Sequence, residues 1–283
     1  MEFGMKKILG IVGSPRKLGN CEIMVKEISR RIDVPHTLQL LRLSDFHLLP
    51  CKGCYRCLSG EDPCVLDDDL ETMLHALVEA DALIVAAPTY FLSANAGLKQ
   101  LLDRGITFYR YTEALWGKPA IGVGIAGIPG REGYTQLSLE NFLKLALSDI
   151  KRCEIIYGAL PGEIFLDEQN RKSARDLAEA LFAPSRKSVE PCCPLCGGQT
   201  FRFLDSRRIR CMLCSNEGMM TLQGGTPRFE IKKSEGDLFL SKEEVLAHQE
   251  WLLGMKDRFI KNKQQLKEIC LSYRKEGEWI KPK

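Results

Sequence analysis

Cys51, Cys54 and Cys57 are separated by two residues each, in the run Cys51-Lys52-Gly53-Cys54-Tyr55-Arg56-Cys57, and Cys64 follows after six intervening residues. Four thiolates this close in sequence can converge on one compact soft-metal site. Such a set suits iron–sulfur ligation better than a hydrolytic centre, which calls for oxygen or nitrogen ligands. A structural zinc, or a cysteine loop engaged in redox exchange, remains an alternative reading of the same residues. A second set is built differently: Cys193-Pro194-Leu195-Cys196 and Cys211-Met212-Leu213-Cys214 are two C-x-x-C knuckles fourteen residues apart. Paired knuckles satisfy tetrahedral metal geometry and predict a zinc ribbon, although rubredoxin-like iron uses the same four thiolates. Cys192 neighbours a ligand and could substitute for it, while Cys153 and Cys270 read as plain buried thiols.

Upstream of both sets lies Gly13-Ser14-Pro15-Arg16-Lys17-Leu18-Gly19-Asn20, between a short apolar run and an amphipathic one. A loop placed there aims backbone N–H groups and the positive end of a helix at a bound phosphate. Ser14 and Asn20 can add hydrogen bonds, and Arg16 a charged one. The loop is neither G-x-G-x-x-G nor the lysine-bearing loop of ATP-splitting proteins, which disfavours a dinucleotide site or phosphoryl transfer. Thiolates near a phosphate loop point to redox chemistry.

Composition narrows the setting. The chain has 283 residues, enough for one sizeable domain and an accessory module. Twelve cysteines without a secretory leader predict a reducing, cytoplasmic compartment in which thiols serve metals or redox chemistry. No apolar run reaches the roughly 18 residues of a membrane span. Residues 1–185 carry 21 Lys and Arg against 24 Asp and Glu, whereas residues 186–283 carry 19 against 13. The later part is therefore basic and could meet an acidic partner. Arg202, Arg207, Arg208 and Arg210 nevertheless form a thin patch rather than a stripe, which argues against nucleic acid.

The elements that must position these residues follow from periodicity. Apolar runs predict strands over Lys7–Val12, Thr37–Leu43, Ala82–Ala87, Pro119–Ala126 and Glu154–Ala159. Helical spacing predicts Cys21–Ile32, Leu70–Ala80, Ala94–Arg104, Ser138–Leu147 and Arg171–Phe182, with Asp67, Asp68 and Asp69 available to cap the second. Strands alternating with helices define a three-layer α/β domain with a doubly wound parallel sheet over residues 1–185. A Pro-flanked polar linker, residues 183–191, leads to the cysteine module at 186–230 and a helical tail at 231–283. Ser241 and Glu244 form a capping-box pattern at the start of one final helix. Val245, Leu252, Phe259, Leu266 and Tyr273 recur along it every seven residues, which predicts packing or self-association into a homo-oligomer.

These motifs together resemble the flavodoxin-like NAD(P)H-dependent FMN reductases, and within them the iron–sulfur flavoproteins. The resemblance rests on the GSPRKLGN loop, the cysteine run followed by Asp67-Asp68, Pro88-Thr89-Tyr90-Phe91, and Gly97-Leu98-Lys99-Gln100-Leu101-Leu102-Asp103-Arg104. It implies a five-stranded flavodoxin-like sheet with FMN at the carboxyl ends of the strands. The FMN phosphate would then meet Ser14, Arg16, Gly19, Asn20 and Cys21, where Cys21 replaces the family's usual Thr or Ser. Pro88, Thr89, Tyr90 and Phe91 would lie along the isoalloxazine edge. The loop from Gly127 through Gly130 to Gly133 would close the other side. The resemblance further implies a 4Fe-4S cluster on Cys51, Cys54, Cys57 and Cys64, and NAD(P)H as donor. Lys99, Asp103 and Arg104 read as a structural ion-pair set. No side chain need act as acid or base, and His36, His47, His75 and His248 form no constellation with a nucleophile. An FMN-dependent oxidoreductase is expected, with a non-enzymatic electron carrier, or a redox sensor acting through a protein or nucleic-acid partner, as the alternative.

Overall fold

A computed structural model describes residues 4–58, 63–184 and 190–282. Its first layer is a sheet of β1 (Lys6–Val12), β2 (His36–Arg42), β3 (Ala82–Tyr90), β5 (Pro119–Ala126) and β6 (Asp149–Tyr157), joined in parallel in the order β2-β1-β3-β5-β6. A two-residue strand, β4 (Ser93–Ala94), folds back antiparallel on the end of β3. The order reverses between β1 and β3, the switch point at which ligands of open α/β sheets bind. This is the doubly wound sheet that the sequence predicts.

Both faces are covered, as continuous apolar strands require. Ile8 and Val12 face a core shared with Met24, Val25 and Ile28 of α1 (Asn20–Arg30) and Leu177 and Leu181 of α6 (Glu168–Leu181). Leu9 and Ile11 face the opposite core. There they meet α2 (Leu70–Glu79), α3 (Ala96–Asp103) and α5 (Thr135–Leu145), the last beyond a short helix α4 (Thr112–Leu115). Gly13 ends β1 because nothing larger fits: a Cβ there would sit 2.5 Å from Asn95 Oδ1 and 3.2 Å from the Ala87 backbone.

Three details differ from the periodicity reading. β3 runs on past Ala87 to Tyr90, with Pro88 opposite Ile125. β6 begins at Asp149 rather than Glu154, because alternating polar residues mask an edge strand. Among the three aspartates, Asp68 accepts from Leu70 N–H at 3.2 Å at the start of α2, while Asp69 turns to His47 N–H at 2.6 Å.

The second unit is a four-stranded antiparallel sheet, β7 (Phe201–Phe203), β8 (Arg208–Cys211), β9 (Glu217–Gln223) and β10 (Thr226–Ile231). Most of the expected linker, residues 185–189, lies outside the described residues. The tail is two helices, not one: α7 (Lys242–Leu253) and α8 (Met255–Ser272), parted at Gly254. The capping box at Ser241 forms, with Ser241 Oγ accepting from Glu244 N–H. Val245 and Leu252 of α7 are buried in the core of the first domain, whereas α8 buries no residue. No helix among the described residues is long and apolar enough to cross a membrane.

Candidate functional site

At the switch point the loop after β1 and the loops after β3, β5 and β6 enclose a cleft of about 190 Å³. Of the eleven residues expected to hold a cofactor, eight line it: Ser14, Arg16, Asn20, Cys21, Pro88, Thr89, Tyr90 and Gly127. Gly19, Phe91 and Gly130 do not. Gly19 instead caps α1. Phe91 stands fully exposed on the β3–β4 turn, where both it and Leu92 have positive φ, 47° and 66°. That turn is held from behind, since Leu92 O accepts from Tyr134 N–H at 2.8 Å and leaves room only for a glycine at 133.

The polar end of the cleft lies at the start of α1, where unpaired backbone donors and the helix dipole favour an anion. Ser14 Oγ accepts from Arg16 N–H at 3.3 Å, which folds the loop around that end. Arg16 also reaches the carbonyl of Ala159 at 3.4 Å. Asn20 spends its amide on the far wall: Nδ2 donates to Gly158 O at 3.0 Å and Oδ1 accepts from Gly162 N–H at 2.9 Å. Burial pushes the Cys21 thiol up to about 12, so it stays protonated despite a hydrogen bond from the Ser14 backbone. The other end is walled by Ile125, Pro88 and Tyr90. A phosphate-accepting end joined to an apolar, aromatic-edged slot suits FMN.

Gly158, Ala159 and Pro161 complete the lining and were missed by the sequence reading. The signal was available: Gly158 and Pro161-Gly162 follow the last strand, and the carboxyl ends of strands carry the site. Neighbouring loops are pinned by the 2.9 Å contact of Thr89 Oγ1 with Thr135 Oγ1 and by Tyr157 OH donating to Glu132 at 2.9 Å.

Cys51, Cys54, Cys57 and Cys64 line one small cavity together with Arg104, Ile106 and Thr107. Gly53 and Tyr55 are left-handed, with φ of 61° and 57°, and curl the loop, in which Cys51 and Cys54 are exposed and Cys57 is half-buried. Burial, then the neighbouring thiols of Cys64, Cys51 and Cys54, push Cys57 up to about 11. The expected ion-pair set on α3 divides here. Lys99 pairs with Asp103 at the surface, but Arg104 turns inward to Asp68.

In the ribbon, Cys193, Cys196, Cys211 and Cys214 bring their sulfurs within 4.8 Å of one another and could hold a metal ion. Cys193 and Cys214 lie 3.8 Å apart, and Cys196 and Cys211 3.5 Å apart. Those spacings match the edge of a tetrahedron with metal–sulfur bonds of about 2.3 Å, roughly 3.8 Å. The Cys193 thiol is drawn down to about 7 by hydrogen bonds from Cys196 and Cys211, while Cys196 is pushed up by its neighbours. Among the described residues no three of the first four cysteines meet the 4.8 Å spacing. Of the ribbon arginines, Arg208 pairs with Asp205 at 2.7 Å and Arg210 pairs with Glu217.

A cleft at the switch point of a doubly wound sheet that opens at the start of the first helix, in a chain that also carries a cysteine-lined cavity, defines a flavin-binding oxidoreductase class. The model of NADPH-dependent FMN reductases matches residues 6–152, and the chain belongs to that family. Its relatives include an iron–sulfur flavoprotein of Methanosarcina thermophila, 37% identical over 139 residues, covering 48% of this chain and 70% of that protein. Another, an iron–sulfur flavoprotein of Methanocaldococcus jannaschii, is 38% identical over 99 residues, 35% of this chain and about half, 51%, of the relative. A solved flavone reductase shares the fold at a TM-score of 0.75 and 19% identity, covering 98% of this chain and 100% of that one.

Proposed function

We propose that the protein is an FMN-dependent oxidoreductase that takes electrons from NAD(P)H, or from a protein donor, and passes them to an acceptor through a 4Fe-4S cluster. The convergence of eight expected residues on one cleft supports this reading most strongly. Ser14, Arg16 and the first N–H groups of α1 would hold the FMN phosphate, and Pro88, Thr89, Tyr90 and Gly127 would border the ring. FMN supplies the chemistry, accepting two electrons together and releasing them singly, while the protein supplies position and electrostatics.

Cys51, Cys54, Cys57 and Cys64 would hold the cluster. Their sulfurs surround one cavity at spacings wider than a single metal requires, which suits a centre where each thiolate takes a different iron. The tighter ribbon set would hold zinc as a structural ion. α8, unburied on its own chain, would join two copies.

The test is the absorbance spectrum of anaerobically purified protein, with flavin, iron, sulfide and zinc determined per chain. Flavin with four irons and four sulfides is the expected result, and Cys54→Ser should lose the iron while keeping FMN. Colourless protein that takes up no added FMN would overturn the reading. Steady-state oxidation of NADH or NADPH with a quinone distinguishes the enzyme from a carrier.

A further inference from the structure

We propose that Arg104 is a positioning residue for the iron–sulfur centre, holding Cys64 by a hydrogen bond and raising the reduction potential of the cluster. The inference rests on the assignment of Cys51, Cys54, Cys57 and Cys64 as cluster ligands.

Arg104 closes α3 and is 1% exposed. Its Nη1 donates to Leu49 O at 2.7 Å and to Asp68 Oδ2, and its Nη2 donates to Asp68 Oδ1 at 3.3 Å. The second contact of Nη2 is Cys64 Sγ at 3.2 Å. Asp68 is as deeply buried as its partner and also accepts from Leu49 N–H at 2.8 Å and Leu70 N–H at 3.2 Å. Arg104 and Asp68 thus clamp three points of the chain to one another: the approach to Cys51, the residues after Cys64, and the end of α3.

A buried guanidinium needs a counter-charge, and Asp68 supplies it. The contact with sulfur is not needed for that. It places a charged donor on a ligand atom, where a thiolate accepts a short, strong hydrogen bond. A reduced cluster carries one more negative charge than an oxidised one, spread in part over its sulfurs. A cationic donor there stabilises the reduced form more, and hydrogen bonds to sulfur are among the factors that set cluster potentials. Burial keeps the effect from being screened by water.

The sign of the effect distinguishes tuning from mere scaffolding. Arg104→Gln removes the cation and should lower the midpoint potential. Asp68→Asn removes the anion that offsets that cation and should raise it. The expected size for Arg104→Gln is about a tenfold shift of the reduction equilibrium toward the oxidised form, which for one electron is 59 mV. The experiment is an anaerobic potentiometric titration of wild type and both variants, followed by cluster absorbance and the paramagnetic signal of the reduced cluster. Iron, sulfide and FMN are determined for each sample. Because either single variant leaves a buried charge unpaired, the double variant Arg104→Gln/Asp68→Asn is measured as well. It loses the charged donor without stranding a charge, and its midpoint should lie below that of wild type. Loaded variants with unmoved midpoints, or both single variants shifted the same way, would overturn the proposal alone. Wild-type protein without iron and sulfide would instead overturn the cluster assignment, and this inference with it.

Discussion

Asn20 at the start of the first helix accepts the backbone N–H of Gly162, 2.9 Å away, and so ties the loop after the last strand to the phosphate loop. The same amide donates to Gly158 O, so one side chain fixes both walls of the cleft. Asn20→Ala leaves the half-buried Gly158 carbonyl and Gly162 N–H without this partner, at a cost of about 1 kcal/mol each. Part of that is relieved by loosening of the far wall. FMN affinity should fall roughly 10- to 100-fold, since about 1.4 kcal/mol is tenfold in a dissociation constant. Titration of apoprotein with FMN, followed by flavin fluorescence, checks this. An affinity within a factor of about two of wild type would show that the wall holds without the amide.

The ribbon has little else to hold it together. Its buried core is Cys193, Ile209, Cys211, Leu213 and Ile231, so two of its five members belong to the proposed metal-binding set. If the four cysteines hold zinc as proposed, a module this small would draw its folding free energy largely from the metal. Cys211→Ser should abolish zinc binding and remove hydrogen-exchange protection from β8 and β9, while FMN binding persists. Retained protection in zinc-free protein would mean that the ribbon folds by packing alone.

How much of this was legible in the sequence depends on the range of the interaction. The five parallel strands announced themselves through local apolar runs, and the two cysteine sets through spacing. The strand end at Tyr90 was hidden by Pro88, which looks like a terminator but pairs as a strand residue opposite Ile125. The tail read as one helix because its seven-residue stripe runs through Gly254 unbroken. Arg104 shows the limit most clearly. Its neighbours Lys99 and Asp103 meet at helical spacing, which a sequence displays. Its true partner, Asp68, lies 36 residues back, where only the fold can bring it.

His248 forms no constellation with a nucleophile, yet its packed environment makes α7 sensitive to acid. The imidazole stacks on Trp251 at 5.7 Å and packs edge-on against Tyr109 and Phe239. Tyr109 is pushed up to about 12 by burial, so it keeps its proton at neutral pH, and its hydroxyl shares a hydrogen bond with His248 Nδ1. Burial holds His248 below the ordinary value of 6.5. The folded state therefore binds fewer protons than the unfolded one. Its contribution is complete above about pH 6.5 and is lost as pH falls toward the depressed folded value. The hydrogen-exchange protection of α7, taken relative to the intrinsic exchange rate at each pH, should weaken as pH falls below about 6.5 in wild type, and change less in His248→Phe. Equal pH dependence in the two proteins would assign the effect elsewhere.

The division of the tail sharpens the prediction about self-association. Ending the chain at Gly236 would remove α7 along with α8. That strips Val245, which is fully buried, and Leu252 from the core of the first domain, at about 1.5–3 kcal/mol for each side chain. Any change in mass would then be confounded with unfolding. Ending it at Gly254 removes only α8, whose Phe259, Ile269 and Tyr273 are 54%, 52% and 63% exposed. A solitary helix of 18 residues with such a surface is marginal in water and is stabilised when a partner covers it. The chain ending at Gly254 should keep the melting temperature of the domain and run at lower mass in light scattering than the full-length protein. An unchanged mass would place the contact between copies on the flavodoxin-like domain or the ribbon.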